Sequence, residues 1–455
     1  MSHLKVGASK VVITPTQEIL PFPTSIGDVQ RTAIHDDCHV RAVIIDNGNT
    51  RAAIVTFDLC ILPPPDTVRE IVAQTGSVPP EHILLCATHN HSVPYTTREN
   101  PGAVGPVRDP ILQDKTERFT KIVYQGTEQA VRNAAASMRD AKYGFSRGES
   151  YINVNRDKLF ADGYWMQDAN YAGYSDKTLS VLKFVDLQDQ LIAVVLNYAA
   201  HGIFGFLSKD FDGQVKVSSD FIGVTCGFIE RRYGNNAVCL WTPAAEGNQN
   251  PILSSMLCTY EDDGYAVRRD LPDGSAYLLM ESTGGQHALD AISIIDHIGT
   301  YSEECPIFSA QTQVLLSSQK PPVGADMAYN RLLTDNLVPL GPNGERPIKH
   351  LVTMEDDPAH PYPMPMQLLK LGDVAFVGIP NEIYAEIGRD LKAASPIKNT
   401  VIVTHTDSRY IGYIADKSSA HHNVFQSFGP VKPGACDEII LQGMLELFHN
   451  NHEKE

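Results

Sequence analysis

Seven short stretches of this chain are apolar almost without interruption. They are residues 42–47 (AVIIDN), 52–57 (AAIVTF), 82–88 (HILLCAT), 191–198 (LIAVVLNY), 237–242 (AVCLWT), 374–379 (VAFVGI) and 400–405 (TVIVTH). A strand with one face in water alternates apolar and polar side chains; a continuous run is what a strand covered on both faces needs. Helical patterns lie between them. Residues 112–138 place Phe119, Ile122, Val123 and Val131 at helical spacing, and 218–234 is preceded by serines and closed by Gly234. Residues 381–394 and 437–451 complete the set. This alternation predicts an α/β fold of mixed, largely buried β-sheets flanked by helices. No internal repeat is evident. Residues 306–365 are rich in Pro, Gly and polar side chains (QKPPVGAD, LGPNGERP, DDPAHPYPMP) and are expected to be a loop-rich insertion. The remainder is expected to be a single domain over 1–455 without a C-terminal accessory domain.

Bulk properties exclude some functions. A net charge of −17 argues against a nucleic-acid backbone or an anionic membrane as the main partner. No apolar run approaches the length of a membrane span. The opening MSHLKVGASKVVITP lacks a secretory apolar segment. The eight cysteines are scattered, without CxxC spacing, and several sit inside apolar runs. They are expected to be buried reduced thiols in a cytoplasmic protein, and neither a zinc cage nor a nucleophile. The expected partner is a small-molecule substrate. The oligomeric state is not written in the sequence.

Chemistry gathers where the strands stop. His89 and His91 follow the third run, His201 the fourth, Glu382 the sixth, and Tyr410 and Tyr413 the seventh; Asp58 follows the second. In open α/β sheets this edge is where sites form. Residues i and i+2 of an extended chain point to one side, so His89 and His91 can reach one centre. Two imidazoles and a carboxylate with a position left open make a catalytic zinc set. A bare HxH after a strand serves as well as a polar loop, and the residues alone leave both readings open.

Five stretches also resemble the catalytic domain of the neutral/alkaline ceramidases, a superfamily of zinc-dependent amide hydrolases. They are VGASKVVITP with AIHDDCHVRAVIID, FDLC, ATHNHSVP, LNYAAHG with VSSDFIG, and IPNE with SRYIGY. The resemblance implies one zinc ion (Zn2+) per chain, bound by His89, His201, Glu382 and Tyr413, with Tyr410 as the near competitor of Tyr413. It implies that His91 stands beside the metal to hydrogen-bond or transfer a proton, and that Arg156, in INVNRD, contacts substrate. Two departures stand out. The family's Gly-Asp-Val-Ser-Pro carries a catalytic serine, and here EGNQNP puts Asn250 in its place. A tyrosine some twelve positions beyond the ligand tyrosine is Phe425, with His421 or His422 as possible substitutes.

The expected function is hydrolysis of an amide C–N bond by metal-activated water. Arg156 and Asn250 are candidates to stabilise an oxyanion, and His91 to protonate the leaving group. Asp58 or Asp220 is a candidate to orient a ligand histidine; Asp220 equally suits the first turn of a helix. Loss of the two hydroxyls, with a mixed aromatic and polar loop at 164–174, motivates two alternatives. One is hydrolysis of an ester or lactone, or metal-assisted isomerisation of a small polar metabolite. The other is a non-catalytic binding homologue.

Overall fold

The computed structural model describes residues 4–24, 29–97, 109–160, 165–234, 236–253, 256–260, 266–325, 352–407 and 412–452. Within them one supersecondary unit is built three times. The first copy runs β1 (Lys5–Val12), β2 (His39–Asp46), β3 (Arg51–Phe57), α1 (Pro65–Gly76), β4 (Ile83–Ala87), α2 (Pro110–Ala136). The second runs β5 (Arg139–Glu149), β6 (Thr178–Asp186), β7 (Leu191–Tyr198), α3 (Asp220–Tyr233), β8 (Val238–Pro243), α4 (Ser275–His297). The third runs β9 (Ile307–Leu316), β10 (Tyr362–Leu371), β11 (Val374–Gly378), α5 (Ala385–Ala394), β12 (Asn399–Val403), α6 (Asp437–His452). In each copy the first three strands pair antiparallel and the fourth returns through a helix to lie parallel to the third. Pairing of β1 with β5 fuses the first two quartets into an eight-stranded sheet, and the third quartet stands alone.

This repeat corrects the expectation of none. It lies in topology and not in side chains, so the sequence does not display it.

The inner faces of all three quartets meet in one core. Val43, Ile54 and Leu84 come from the first copy, Leu182, Val195 and Leu240 from the second, and Leu369, Phe376 and Val403 from the third. Each outer face packs beneath its own helices. The inner strands are therefore dry on both sides, which is why their sequences are uniformly apolar.

The stretch 306–365 is not an insertion of loops at its ends. It contains β9 and the start of β10, paired antiparallel from Ile307↔Leu371 to Leu316↔Tyr362. Two things disguised them. β9 (IFSAQTQVLL) is half-buried over most of its length and carries polar residues. Pro363 and Pro365 lie in the part of β10 that pairs with β9 alone, before Gln367 meets β11, and a proline is tolerated where no ladder bond is asked of its nitrogen. Residues 326–351, in the middle of the stretch, lie outside the described residues.

The parallel pairs β3/β4, β7/β8 and β11/β12 set six strand ends around one spot. Thr404 N donates to Pro243 O (3.0 Å), Ala87 N to His405 O (3.3 Å) and His91 N to Gly202 O (2.9 Å). These bonds tie the end of each copy to another. The seven described cysteines are free and buried. No described helix is long and apolar enough to cross a membrane.

Candidate metal centre

Three acceptors converge at the strand ends. His201 Nε2 is 3.1 Å from Glu382 Oε2, and His89 Nε2 is 3.3 Å from the same oxygen. His91 Nε2 is 3.0 Å from His89 Nε2. The opposite nitrogens of two rings are already engaged: His89 Nδ1 lies 3.1 Å from Cys60 O and His201 Nδ1 3.0 Å from Gln249 O. A carbonyl only accepts, so both Nδ1 atoms carry a proton, and each Nε2 meets the carboxylate either with a lone pair shared through a cation or with a second proton. Two imidazole nitrogens and a carboxylate oxygen this close in a dry interior need a positive charge among them, a metal ion or a proton. The donor set of imidazole and carboxylate fits a divalent transition metal, and the carbonyl-held Nδ1 is the usual support of a metal-bound histidine.

A proton on His89 is one source of that charge. Burial alone would lower His89, but Glu382 outweighs it and holds this imidazole well above its ordinary pKa. Glu382 is held well below the carboxylate range, since His89 and His201 outweigh its burial. Burial, then Arg156, pushes His201 down to about 4. Burial, with His89 and His201 alongside, puts His91 well below its usual value, as a neutral ring.

Tyr413 and Glu382 are opposite partners in a short parallel pair, Glu382–Ile383 with Tyr413–Ile414. The Tyr413 side chain hydrogen-bonds both Glu382 and Arg156, and burial raises its pKa well above the phenol range. Arg156 comes from the strand Asn153–Leu159, which pairs with Gln249–Pro251. Its guanidinium donates to Gly247 O (2.7 Å) and Asn250 Oδ1 (3.2 Å), and its central carbon lies 5.3 Å from the Tyr413 ring centroid and 5.6 Å from that of Phe425. All seven residues singled out from the sequence, His89, His91, His201, Glu382, Tyr413, Arg156 and Asn250, thus stand in one connected group. His89 has a left-handed backbone, φ 58°, strain of the kind that persists where surrounding bonds over-determine a functional residue.

Other expectations do not survive. Asp58 accepts from Arg41 (2.7 Å) and His39 N (2.8 Å), a buried structural ion pair. Asp220 accepts from Gly205 N (3.0 Å) and Phe221 N (2.8 Å) and caps a helix start. The groups orienting His89 and His201 are backbone carbonyls, not these carboxylates. Trp165–Asn170, expected as loop, is a strand paired with Asn153–Leu159. Tyr410 lies outside the described residues.

Sequence reasoning missed His405 and Glu246. The His405 ring stacks on His89, centroids 3.8 Å apart and planes 17° from parallel, and its Nε2 is 2.6 Å from Glu246 Oε1. The signal was a Thr-His following the fourth strand of both the first and third copies, Thr88–His89 and Thr404–His405. Phe425, at the tyrosine position, packs edge-on to Tyr413 (5.2 Å). His422 instead bonds through Nδ1 to Asp157 Oδ2 (3.0 Å) and stacks on Trp165 (3.7 Å).

No protein-family model matches the chain. Comparison with curated proteins finds the neutral ceramidase of Drosophila melanogaster, 22% identical over 503 residues, covering 90% of this chain and 69% of that protein. The neutral ceramidase of Drosophila pseudoobscura pseudoobscura is 24% identical over 246 residues, 51% of this chain and 33% of the relative. Among solved structures, the neutral ceramidase from Pseudomonas aeruginosa matches all of this chain and 75% of its own, with TM-score 0.72 at 16% identity. A ceramidase complexed with C2 matches with TM-score 0.71, also at 16% identity, over all of this chain and 76% of its own. The fold is that of the neutral ceramidases. In sequence the chain is similar to the neutral ceramidases at low identity over most of its length.

Proposed function

We propose that the chain is a zinc-dependent hydrolase of an amide C–N bond. The observation that carries this is the convergence of His89 Nε2 and His201 Nε2 on one oxygen of Glu382, with both Nδ1 atoms held by carbonyls. Tyr413 completes the proposed ligand set. A zinc ion there supplies Lewis acidity toward a carbonyl oxygen and an activated water as nucleophile. The protein supplies the rest. Arg156, held by Gly247 O, keeps a full positive charge beside the centre and donates to Asn250 Oδ1. That bond fixes the amide so that the Asn250 Nδ2 donor turns away from the guanidinium, available to an oxyanion. His91, neutral at its Nε2, is the group to accept a proton and pass it to the leaving nitrogen. Free, buried cysteines suit a reducing compartment, and we place the protein in the cytoplasm on that ground.

A second reading keeps the metal and changes the substrate to an ester, a lactone or another small polar metabolite. Its support is the polar aromatic cluster of Trp165, His421 and His422, bonded through His422 to the buried Asp157, with Asn250 and Phe425 at the two hydroxyl positions of the family. The test is metal analysis of the purified chain, then turnover on short and long N-acyl amides against esters and sugar-acid lactones. One zinc per chain, with His89→Ala losing both metal and amide turnover, is expected. Unchanged zinc and turnover in that variant would end the proposal.

A further inference from the structure

Proximity suggests His405 as another ligand, since its ring nitrogen, His89 and Glu382 offer atoms within 4.8 Å of one another. The ring geometry argues otherwise. We infer that His405 and Glu246 are positioning residues that hold the His89 ring, and that neither binds the ion. The inference rests on the metal reading above.

A metal sits in the plane of the imidazole that binds it, about 2.1 Å from the nitrogen. The His405 ring lies face to face with His89, centroids 3.8 Å apart and planes 17° from parallel. An ion in the His89 plane is then roughly 3 Å out of the His405 plane, where that ring has no lone pair. His405 Nε2 is also committed to Glu246 Oε1 at 2.6 Å. Thr404 Oγ1 lies against both the second oxygen of Glu246 and Ala244 O (2.8 Å), with one proton to donate to either. Glu246 is fully buried and His405 nearly so, so the pair does not swing into solvent.

The position of the pair in the fold explains why it is there. His89, Glu246 and His405 each follow the fourth strand of their own copy by two or three residues. The three equivalent strand ends meet, so the first copy's histidine is backed by residues from the other two. A carboxylate-supported histidine is the normal companion of a metal site. Here the carboxylate is one layer removed: it fixes His405, and His405 walls one face of His89 while His91 and His201 stand edge-on at 4.4 and 4.8 Å. Free rotation of the His89 ring is blocked.

Three full-length variants test this, loaded with cobalt(II) for its visible spectrum and with zinc for affinity by chelator competition. The double variant His405→Phe/Glu246→Gln keeps an aromatic face on His89, offers no ligand nitrogen and leaves no unpaired buried carboxylate. Its cobalt spectrum is expected to match the parent. His405→Ala removes the wall, and zinc affinity is expected to fall about 10- to 100-fold, with the spectrum still that of the parent coordination number. Glu246→Gln alone is expected to fall between. A changed coordination number in the double variant would make His405 a ligand and overturn the inference; so would parent-like zinc affinity in His405→Ala. His89→Ala is the control: if it too binds cobalt like the parent, the metal reading fails first, and separately.

Discussion

Gly247 offers a way to damage the proposed metal centre without touching a ligand. A Cβ placed on it would lie 2.5 Å from Glu382 O and 3.0 Å from both Glu382 C and Ile383 C. An ordinary contact begins near 3.4 Å, so the Glu382 backbone must retreat by about 3.4 − 2.5 = 0.9 Å, or Gly247 by the same amount. Neither moves freely. Gly247 N donates to Ile383 O (3.0 Å) and its carbonyl holds Arg156 (2.7 Å). Metal–ligand distances tolerate about 0.2 Å, so a shift several times larger carries the carboxylate off its two imidazoles. Gly247→Ala is therefore expected to lower zinc affinity about 10- to 100-fold, the size of effect seen when groups supporting a ligand are lost, or ~1.4–2.8 kcal/mol. Overpacking adds about 1–3 kcal/mol of lost fold stability. The assay is chelator competition at 25 °C alongside denaturant unfolding. A variant that binds zinc like the parent, with an unchanged unfolding midpoint, would refute the argument that this glycine is required for close approach.

Other perturbations read other parts of the structure. Gly285, in α4, has nothing within 4 Å of its would-be Cβ, so Gly285→Ala should raise stability by about 0.5–1 kcal/mol, and a lower unfolding midpoint would contradict this. Phe376 is packed where the three quartets meet; Phe376→Ala is expected to destabilise by about 3–5 kcal/mol, and a loss under 1 kcal/mol would argue against a single shared core. Burial raises Asp220 from 3.8 to about 6. Its folded state thus holds a proton that the unfolded chain releases, and the stability it contributes is present below pH 3.8 and lost as pH rises through 6. The difference of about 2.2 pH units corresponds to ~3 kcal/mol. Asp220→Asn should remove that decline, so its stability relative to the parent should climb between pH 4 and 7; a flat difference would show that this carboxyl does not titrate as described.

The inner strands were legible because burial on both faces leaves no room for polar residues. Six of the seven apolar runs match β2, β3, β4, β7, β11 and β12 to within a few residues, and the seventh is β8. The strands overlooked carry polar residues or prolines for identifiable reasons. β9 is half-buried over most of its length and mixes polar with apolar side chains, and β10 has its prolines where it pairs with β9 alone. The ligand-type residues stood out because a strand end is a place with few other uses for histidine. Asp58 misled because its partner is set by register: Arg41 lies on the adjacent strand, opposite Thr56, and a pairing register is not visible in one strand's sequence. His405 escaped because it reads as the last residue of an apolar run, and only the threefold repeat shows that it occupies the position His89 occupies.

That repeat also explains why the centre is asymmetric. Three like copies meeting at their strand ends would bring three like residues together, and three carboxylates or three charged imidazoles at one buried point repel strongly. The chain avoids this by placing different chemistry at equivalent positions. After the fourth strand stand His89, Glu246 and His405; after the third come the Cys60 carbonyl, His201 and Glu382. The two glutamates at these strand ends then have separate partners: Glu382 has His89 and His201, and Glu246 has His405 with the hydroxyl of Thr404. Two carboxyl groups in one dry interior are kept in separate hydrogen-bonded sets, so one is free to face the proposed ion while the other holds the wall behind it. Exchanging the two roles would leave a buried carboxylate without its partners, which is why substitutions at Glu246 and Glu382 are expected to fail in different ways: the first by loosening the site, the second by emptying it.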